Sequence, residues 1–262
     1  MMKIKTYQVD AFAEKLFTGN PAAVCLLKEW IAEDVMQNIA AENNLAETAF
    51  VVPRMNSYEI RWFTPTIEVD LCGHATLASA FILFEYIEND KEIIEFYSPR
   101  SGQLKVFKEK EKLFLDFPSD ILKKVSFLEE IEKGIGIKPL EIYKGKTDYI
   151  AILESEEEIR KVKPNFTEIV KLPGRGLIVT AKGDKVDFVS RFFAPQVGVN
   201  EDPVTGSAHT SLTPLWSEKL KRKNLTAMQL SSRGGKLDCV DKGERCYIGG
   251  KAKLFFEGVI FI

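Results

Sequence analysis

The chain spells one motif twice. Arg61-Trp62-Phe63-Thr64-Pro65 is followed after seven residues by Gly73-His74-Ala75-Thr76-Leu77-Ala78-Ser79; Arg191-Phe192-Phe193-Ala194-Pro195 is followed after ten by Gly206-Ser207-Ala208-His209-Thr210-Ser211-Leu212. The copies lie 130 residues apart at the arginine (61 and 191) and 133 at the glycine (73 and 206), so a three-residue loop insertion separates the registers. Each copy reads as a strand, a proline turn, a loop and a glycine that opens a helix of small residues. In 262 residues such a duplication predicts two lobes related by a pseudo-twofold.

Strand-like segments dominate: 4–12, 22–27, 48–52, 58–63, 93–97, 103–108, 112–117, 177–181, 186–193 and 252–262. Ile31, Val35 and Ile39 recur every four residues and predict a helix ended by Asn43-Asn44. A second helix is expected over 127–133, stopping at Gly134, and a charged one over 154–163, closed by Pro164 and carrying no function. Residues 75–84, ATLASAFILF, are apolar all round, so a helix there has to be enclosed on every side. Hairpin-joined strands around such a helix favour α+β over a doubly wound α/β fold. The expected lobes are residues 1–115, joined by a returning C-terminal strand at 254–262, and residues 116–253.

Composition narrows the function. The 36 basic residues nearly cancel the 38 acidic ones, for a formal charge of -2, and no long basic run is present to neutralise phosphates, which argues against nucleic acid. No apolar stretch approaches the roughly 18 residues a membrane span needs, and no secretory signal is visible. Cys25, Cys72, Cys239 and Cys246 are scattered without a C-x-x-C pair, which suits a reducing, cytoplasmic setting better than a zinc ribbon or a disulfide scaffold. Two histidines and dispersed carboxylates form no recognised metal set, and neither a Walker loop nor a strand-following G-x-G-x-x-G occurs.

The duplicated glycines carry the chemistry. A helix start leaves backbone N–H groups unpaired and partly positive, and a glycine lets an anion approach them. Two such starts facing one cleft would hold a carboxylate, although either alone reads equally as a tight turn. Glu47 opens the apolar run Thr48–Val52: burial there would raise its pKa toward the range of a general base, and an exposed edge glutamate is the other reading. His74, directly after Gly73, is expected to be kept neutral by the helix dipole and able to relay a proton. Asp202 either caps the loop before the second helix or points into the cleft. Ser207 fits an anion's hydrogen-bond donor or a plain N-terminal helix serine, and His209 is expected to pack within its helix. Cys72 could be a thiolate at the helix start, but its counterpart is Thr205, so a mechanism with one thiol on each face of a stereocentre lacks its second thiol.

Four stretches in order resemble the PhzF family of phenazine-biosynthesis-like isomerases, which have the diaminopimelate-epimerase fold. They are Val9-Asp10-Ala11-Phe12 with Phe17-Thr18-Gly19-Asn20-Pro21-Ala22-Ala23-Val24; Asn44-Leu45-Ala46-Glu47-Thr48-Ala49-Phe50; Cys72-Gly73-His74-Ala75-Thr76-Leu77-Ala78; and Asp202-Pro203-Val204-Thr205-Gly206-Ser207-Ala208. The resemblance implies two similar lobes, each a rolled, mainly antiparallel sheet around a central helix, with the active site between them. It implies a cofactor-free enzyme, commonly a homodimer, with Glu47 as the catalytic glutamate supported by His74, Asp202 and Ser207, and with Asn20 and Cys72 beside the substrate. The expected activity is an isomerase that moves a proton on a small carboxylate-bearing metabolite. A racemase or epimerase, and a binding protein of the same fold without turnover, are the rival expectations.

Overall fold

The computed structural model describes all 262 residues, Met1–Ile262. The chain divides into two compact units, Met1–Asp116 with Gly249–Ile262, and Phe117–Ile248. Both are α+β.

In chain order the first unit runs through β1 (Lys3–Ala11), β2 (Asn20–Leu26), α1 (Glu33–Asn43), β3 (Glu47–Pro53), β4 (Tyr58–Phe63), β5 (Glu68–Val69), α2 (Gly73–Tyr86), β6 (Ile93–Ser98), β7 (Gly102–Glu109) and into β8 (Lys112–Pro118). The second follows with β9 (Lys123–Val125), α3 (Glu129–Ile135), β10 (Glu141–Lys144), β11 (Asp148–Ile152), α4 (Glu156–Lys161), α5 (Phe166–Ile169), β12 (Gly176–Lys182), β13 (Phe188–Phe193), α6 (Gly206–Leu220), β14 (Asn224–Gln229), β15 (Gly235–Asp241) and β16 (Arg245–Gly250). Finally β17 (Ala252–Phe261) returns to the first unit and pairs antiparallel with all of β1.

The duplication is visible strand by strand. β2 pairs parallel with β3, β3 antiparallel with β4, β4 parallel with β6 and β6 antiparallel with β7. In the second unit β11 pairs parallel with β12, β12 antiparallel with β13, β13 parallel with β14 and β14 antiparallel with β15. Even the repeated arginine does the same work in both. Arg61 donates from Nε and Nη2 to the two carboxylate oxygens of Glu68, and Arg191 does the same to Glu201. Such a fork is the strong form of an ion pair, and here it ties a strand to the segment that leads into the next helix.

The apolar stretch 75–84 is helical, and within α2 every residue from Gly73 to Phe84 except Phe81 is buried. Its polar members survive there because their hydroxyls bond back to the preceding turn: Thr76 Oγ1 donates to Cys72 O at 2.6 Å and Ser79 Oγ to Ala75 O at 2.8 Å. α6 has a proline in its interior, Pro214, which cannot bond the carbonyl four residues back. That carbonyl, Thr210 O, instead accepts from the backbone N–H of Asp120, whose carboxylate also receives Ser211 Oγ. α1 packs Met36, Ile39 and Ala40 onto Cys25, Phe50, Val52 and Phe63, and its C-cap Asn44 adopts the left-handed conformation that asparagine tolerates.

Two expectations need correction. The helix expected to stop at Gly134 continues to Ile135 and is capped by Gly136, at φ 71°. Gly134 is a packing glycine, since a Cβ there would sit 2.8 Å from Ile169 Cγ1. The strands β9 to β11 and β14 to β16 also lie outside the expected set; they are short or interrupted by charge, and tertiary pairing overrides weak local pattern.

Candidate active site

Glu47 is the first residue of β3 and His74 the second of α2. β3 lies beside β2, with Ala22 opposite Glu47, and α2 packs against β1, β2 and β3, so strand and helix starts meet. Glu47 Oε2 lies 3.3 Å from His74 Nε2; the glutamate side chain is 20% exposed and the imidazole 6%. The carboxylate is therefore sheltered and reachable, neither sealed in the core nor on an open edge.

Asn20 completes the arrangement. It follows Gly19, whose φ of 72° and close approach to Ala11 O, only 2.1 Å from where a Cβ would stand, admit no side chain. That turn starts β2 with Asn20 fully buried, its Nδ2 3.3 Å from His74 Nδ1. An amide nitrogen only donates, which makes Nδ1 the acceptor and assigns the ring proton to Nε2, the nitrogen 3.3 Å from Glu47 Oε2. Cys72 Sγ, at 3.4 Å, is a second group on the Nδ1 side. Burial lowers the His74 pKa from 6.5 to about 3, so the imidazole is neutral and its 3.3 Å approach to Glu47 is not a pairing of two charges. The expected neutrality holds, but its cause is loss of solvent where the sequence argument invoked the helix dipole.

A neutral imidazole this close limits where a partly sheltered carboxylate can sit. That is the arrangement a general base needs, and donor–acceptor distances of this kind commonly shorten once substrate is bound. Glu47, Cys72 and His74 also form a mixed carboxylate, thiol and imidazole set with donor atoms within 4.8 Å of one another.

In the second unit α6 starts at Gly206 after its N-cap, Thr205. Thr205 Oγ1 donates to Asp202 Oδ2 at 2.5 Å. The buried amide of Gln229 clamps the same loop, accepting from Thr205 N and donating to Asp202 O. Ser207 Oγ accepts from Arg175 Nη1 at 2.8 Å, and the rest of the Arg175 fork is held by the buried carboxylate of Asp148. His209 is buried, with Nδ1 2.8 Å from Thr205 O and its ring 5.8 Å from that of Phe188, which is packing within the helix; burial lowers its pKa to about 4. Arg175, Asp148 and Gln229 were missed in the sequence reading. For Arg175 a signal existed, a charge two residues before the apolar run Leu177–Ala181, much like the cue that singled out Glu47.

Strand order and the paired helix starts define a protein of the diaminopimelate-epimerase-like fold. The chain is matched over residues 9–258 by the PhzC-PhzF family, described as phenazine biosynthesis-like protein, and it belongs to that family. Among its relatives, an uncharacterized isomerase of Pseudomonas aeruginosa is 50% identical, with 99% of each chain covered. A crystal structure of a PhzF-family phenazine biosynthesis protein from Enterococcus faecalis is also 50% identical, covering 100% of both chains with a TM-score of 0.97. At 10% identity the likeness to a hydroxyproline epimerase from Agrobacterium vitis, TM-score 0.62 over 99% of this chain and 91% of that one, is one of fold alone. The protein is an isomerase by class, and no helix in it is long and apolar enough to cross a membrane.

Proposed function

We propose that this isomerase moves a proton between carbons of a small carboxylate-bearing metabolite without a cofactor. Glu47 removes the proton as a base and returns it as an acid, and His74, held in one tautomer by Asn20, orients Glu47 or relays its proton. A single observation carries this reading: a partly sheltered carboxylate 3.3 Å from a buried, neutral imidazole. The backbone amides at the start of α2, behind Gly73, suit the substrate's carboxylate and the negative charge that develops as the proton leaves. Asp202, Gly206 and Ser207 enter the reading through the family resemblance, as contacts to the substrate's amine or hydroxyl and its carboxylate. A homodimer and a cytoplasmic setting, compatible with four unbridged thiols, belong to the same proposal.

The test is incubation of the protein with candidate amino and hydroxy acids in D2O, followed by NMR. Wild type is expected to place deuterium on one carbon of the true substrate, and Glu47→Gln to abolish that uptake. Uptake unchanged in Glu47→Gln removes Glu47 from the chemistry. A product of inverted configuration at one centre would favour the epimerase instead. Tight binding by calorimetry with no exchange would favour a binding protein.

A further inference from the structure

We propose that β17, together with the loop that carries Phe17, is a self-complementary face through which two copies of this chain pair. That face is the surface of the homodimer named above, and no step of the reaction bears on it.

β17 pairs antiparallel with β1, whose other edge pairs with β2. Directly opposed residues share a face of the sheet. Phe256, opposite Gln8, lies on the side of Ile4 and Ile260, which meets the core under α1; Val259 and Phe261, opposite Lys5 and Lys3, lie on the other side. A bulge between Gln8 and Val9 leaves Phe255 as the extra residue of the strand. These four side chains are between 47% and 55% exposed, so β17 shows apolar groups to water on both faces.

The loop before β2 adds a fifth. Phe17 has φ 68°, a left-handed conformation that is costly for a bulky side chain and persists only where the surroundings impose it. Here its N–H donates to the buried carboxylate of Asp10 at 2.9 Å, and its ring stands edge-on to that of Phe255 with centroids 5.9 Å apart. The ring is nevertheless 67% exposed. The fold therefore holds a strained aromatic residue against β17 while leaving most of it in water.

The size of the patch selects the occupant. With about 200 Å2 to a whole phenylalanine side chain, the four rings leave roughly 400 Å2 of apolar surface in water, and Leu16, Val259 and Ile262 take it to about 600 Å2. That is the upper end of what a monomer leaves exposed, and most of the roughly 800 Å2 each partner brings to a stable interface. Marginal strands that stay single are blunted by proline and by charge, whereas β17 has no proline and only two charges, Lys253 and Glu257. They are of opposite sign, and Glu257 is paired with Lys5 at 3.1 Å, so no net charge repels a second copy. A twofold axis lays the same aromatic patch against itself.

Sedimentation equilibrium of the full chain is the test. Wild type is expected to be a dimer at low micromolar concentration, and Phe256→Glu to raise the dimer Kd at least about a hundredfold. Phe17→Asn suits the left-handed backbone better than phenylalanine, so it is expected to fold with undiminished Tm and still weaken the dimer at least about tenfold. Ile121→Glu, at an exposed aliphatic residue of the second unit, should leave the dimer as it is. A dimer undiminished in both phenylalanine variants overturns the surface and leaves the homodimer standing; a monomeric wild type overturns both. Monomeric wild type that co-sediments with phosphatidylglycerol vesicles gives the patch to a membrane and overturns the pairing. Should Phe256→Glu fail to fold, wild type supplies the check: amide hydrogen exchange over residues 252–262 is expected to slow as the protein concentration is raised through Kd, and a rate independent of concentration overturns the surface. None of these measurements needs turnover, so a dimer that exchanges no acid counts against the isomerase reading alone.

Discussion

The two units share a strand plan and differ in what they put at its key positions. Thr48 pairs with Phe63 in the first and Leu177 with Phe193 in the second, so Glu47 and Gly176 are counterparts, with Arg175 one residue further back. At the helix start, His74 in one unit answers to Ser207 in the other. The first unit thus joins a carboxylate to an imidazole, both able to exchange protons. The second joins a guanidinium to a hydroxyl, neither of which changes charge near neutral pH. Duplication supplied two equivalent frames, and divergence at a few residues put a carboxylate–imidazole pair in one and a guanidinium–hydroxyl pair in the other.

The sharpest way to break this division is kinetic. Glu47→Gln is expected to lower kcat for deuterium exchange by about 10²–10⁴-fold, the range of general acid–base contributions, whereas Arg175→Gln should raise KM with little change in kcat. An equal kcat loss at Arg175 would abolish the distinction. Next comes Asn20→Ala, expected to cost about tenfold to a hundredfold in kcat by freeing the His74 ring. Its direct readout is the 15N shifts of His74, which report Nε2–H in wild type and a tautomer mixture in the variant.

Stability should divide the other way. Asp148 is buried and holds two nitrogens of Arg175, so Asp148→Asn is expected to cost about 1–3 kcal/mol in urea unfolding, while Glu47→Gln stays within about 0.5 kcal/mol of wild type. At neutral pH the smallest effect belongs to the two histidines, whose contribution shows only in acid. Both are held neutral by burial, with pKa values lowered to about 3 for His74 and about 4 for His209. Between those values and 6.5 the unfolded chain binds protons the folded chain refuses, so stability is intact above pH 6.5 and falls as the pH drops below it, by up to about 1.4 kcal/mol per unit for each histidine. His74→Gln and His209→Gln should each flatten that acid limb; a limb left unchanged by one substitution would show that the histidine it removes is not held neutral by the fold.

Much of this was legible from residues alone. α2 could be read because an all-round apolar run has only one stable environment, and α1 because a four-residue period ended at an asparagine that accepts the left-handed cap. Glu47 and His74 stood out as polar groups at the mouths of apolar elements. Arg175 carried the same mark and was passed over, because no motif surrounded it. Gly134 misled, since a glycine made necessary by packing and one made necessary by a turn look the same in a sequence.

The sequence by itself determined the duplicated frame, the buried helix of the first unit and the residues with chemistry to offer, because those follow from local periodicity and residue type. Only the tertiary structure decided that Asn20 and the Cys72 sulfur meet Nδ1 of His74 while Glu47 lies beside Nε2. Those contacts join residues up to 54 positions apart. Their distances depend on how β2, β3 and α2 pack, and hydrogen bonding and coordination are sensitive to tenths of an ångström that no spacing along the chain encodes.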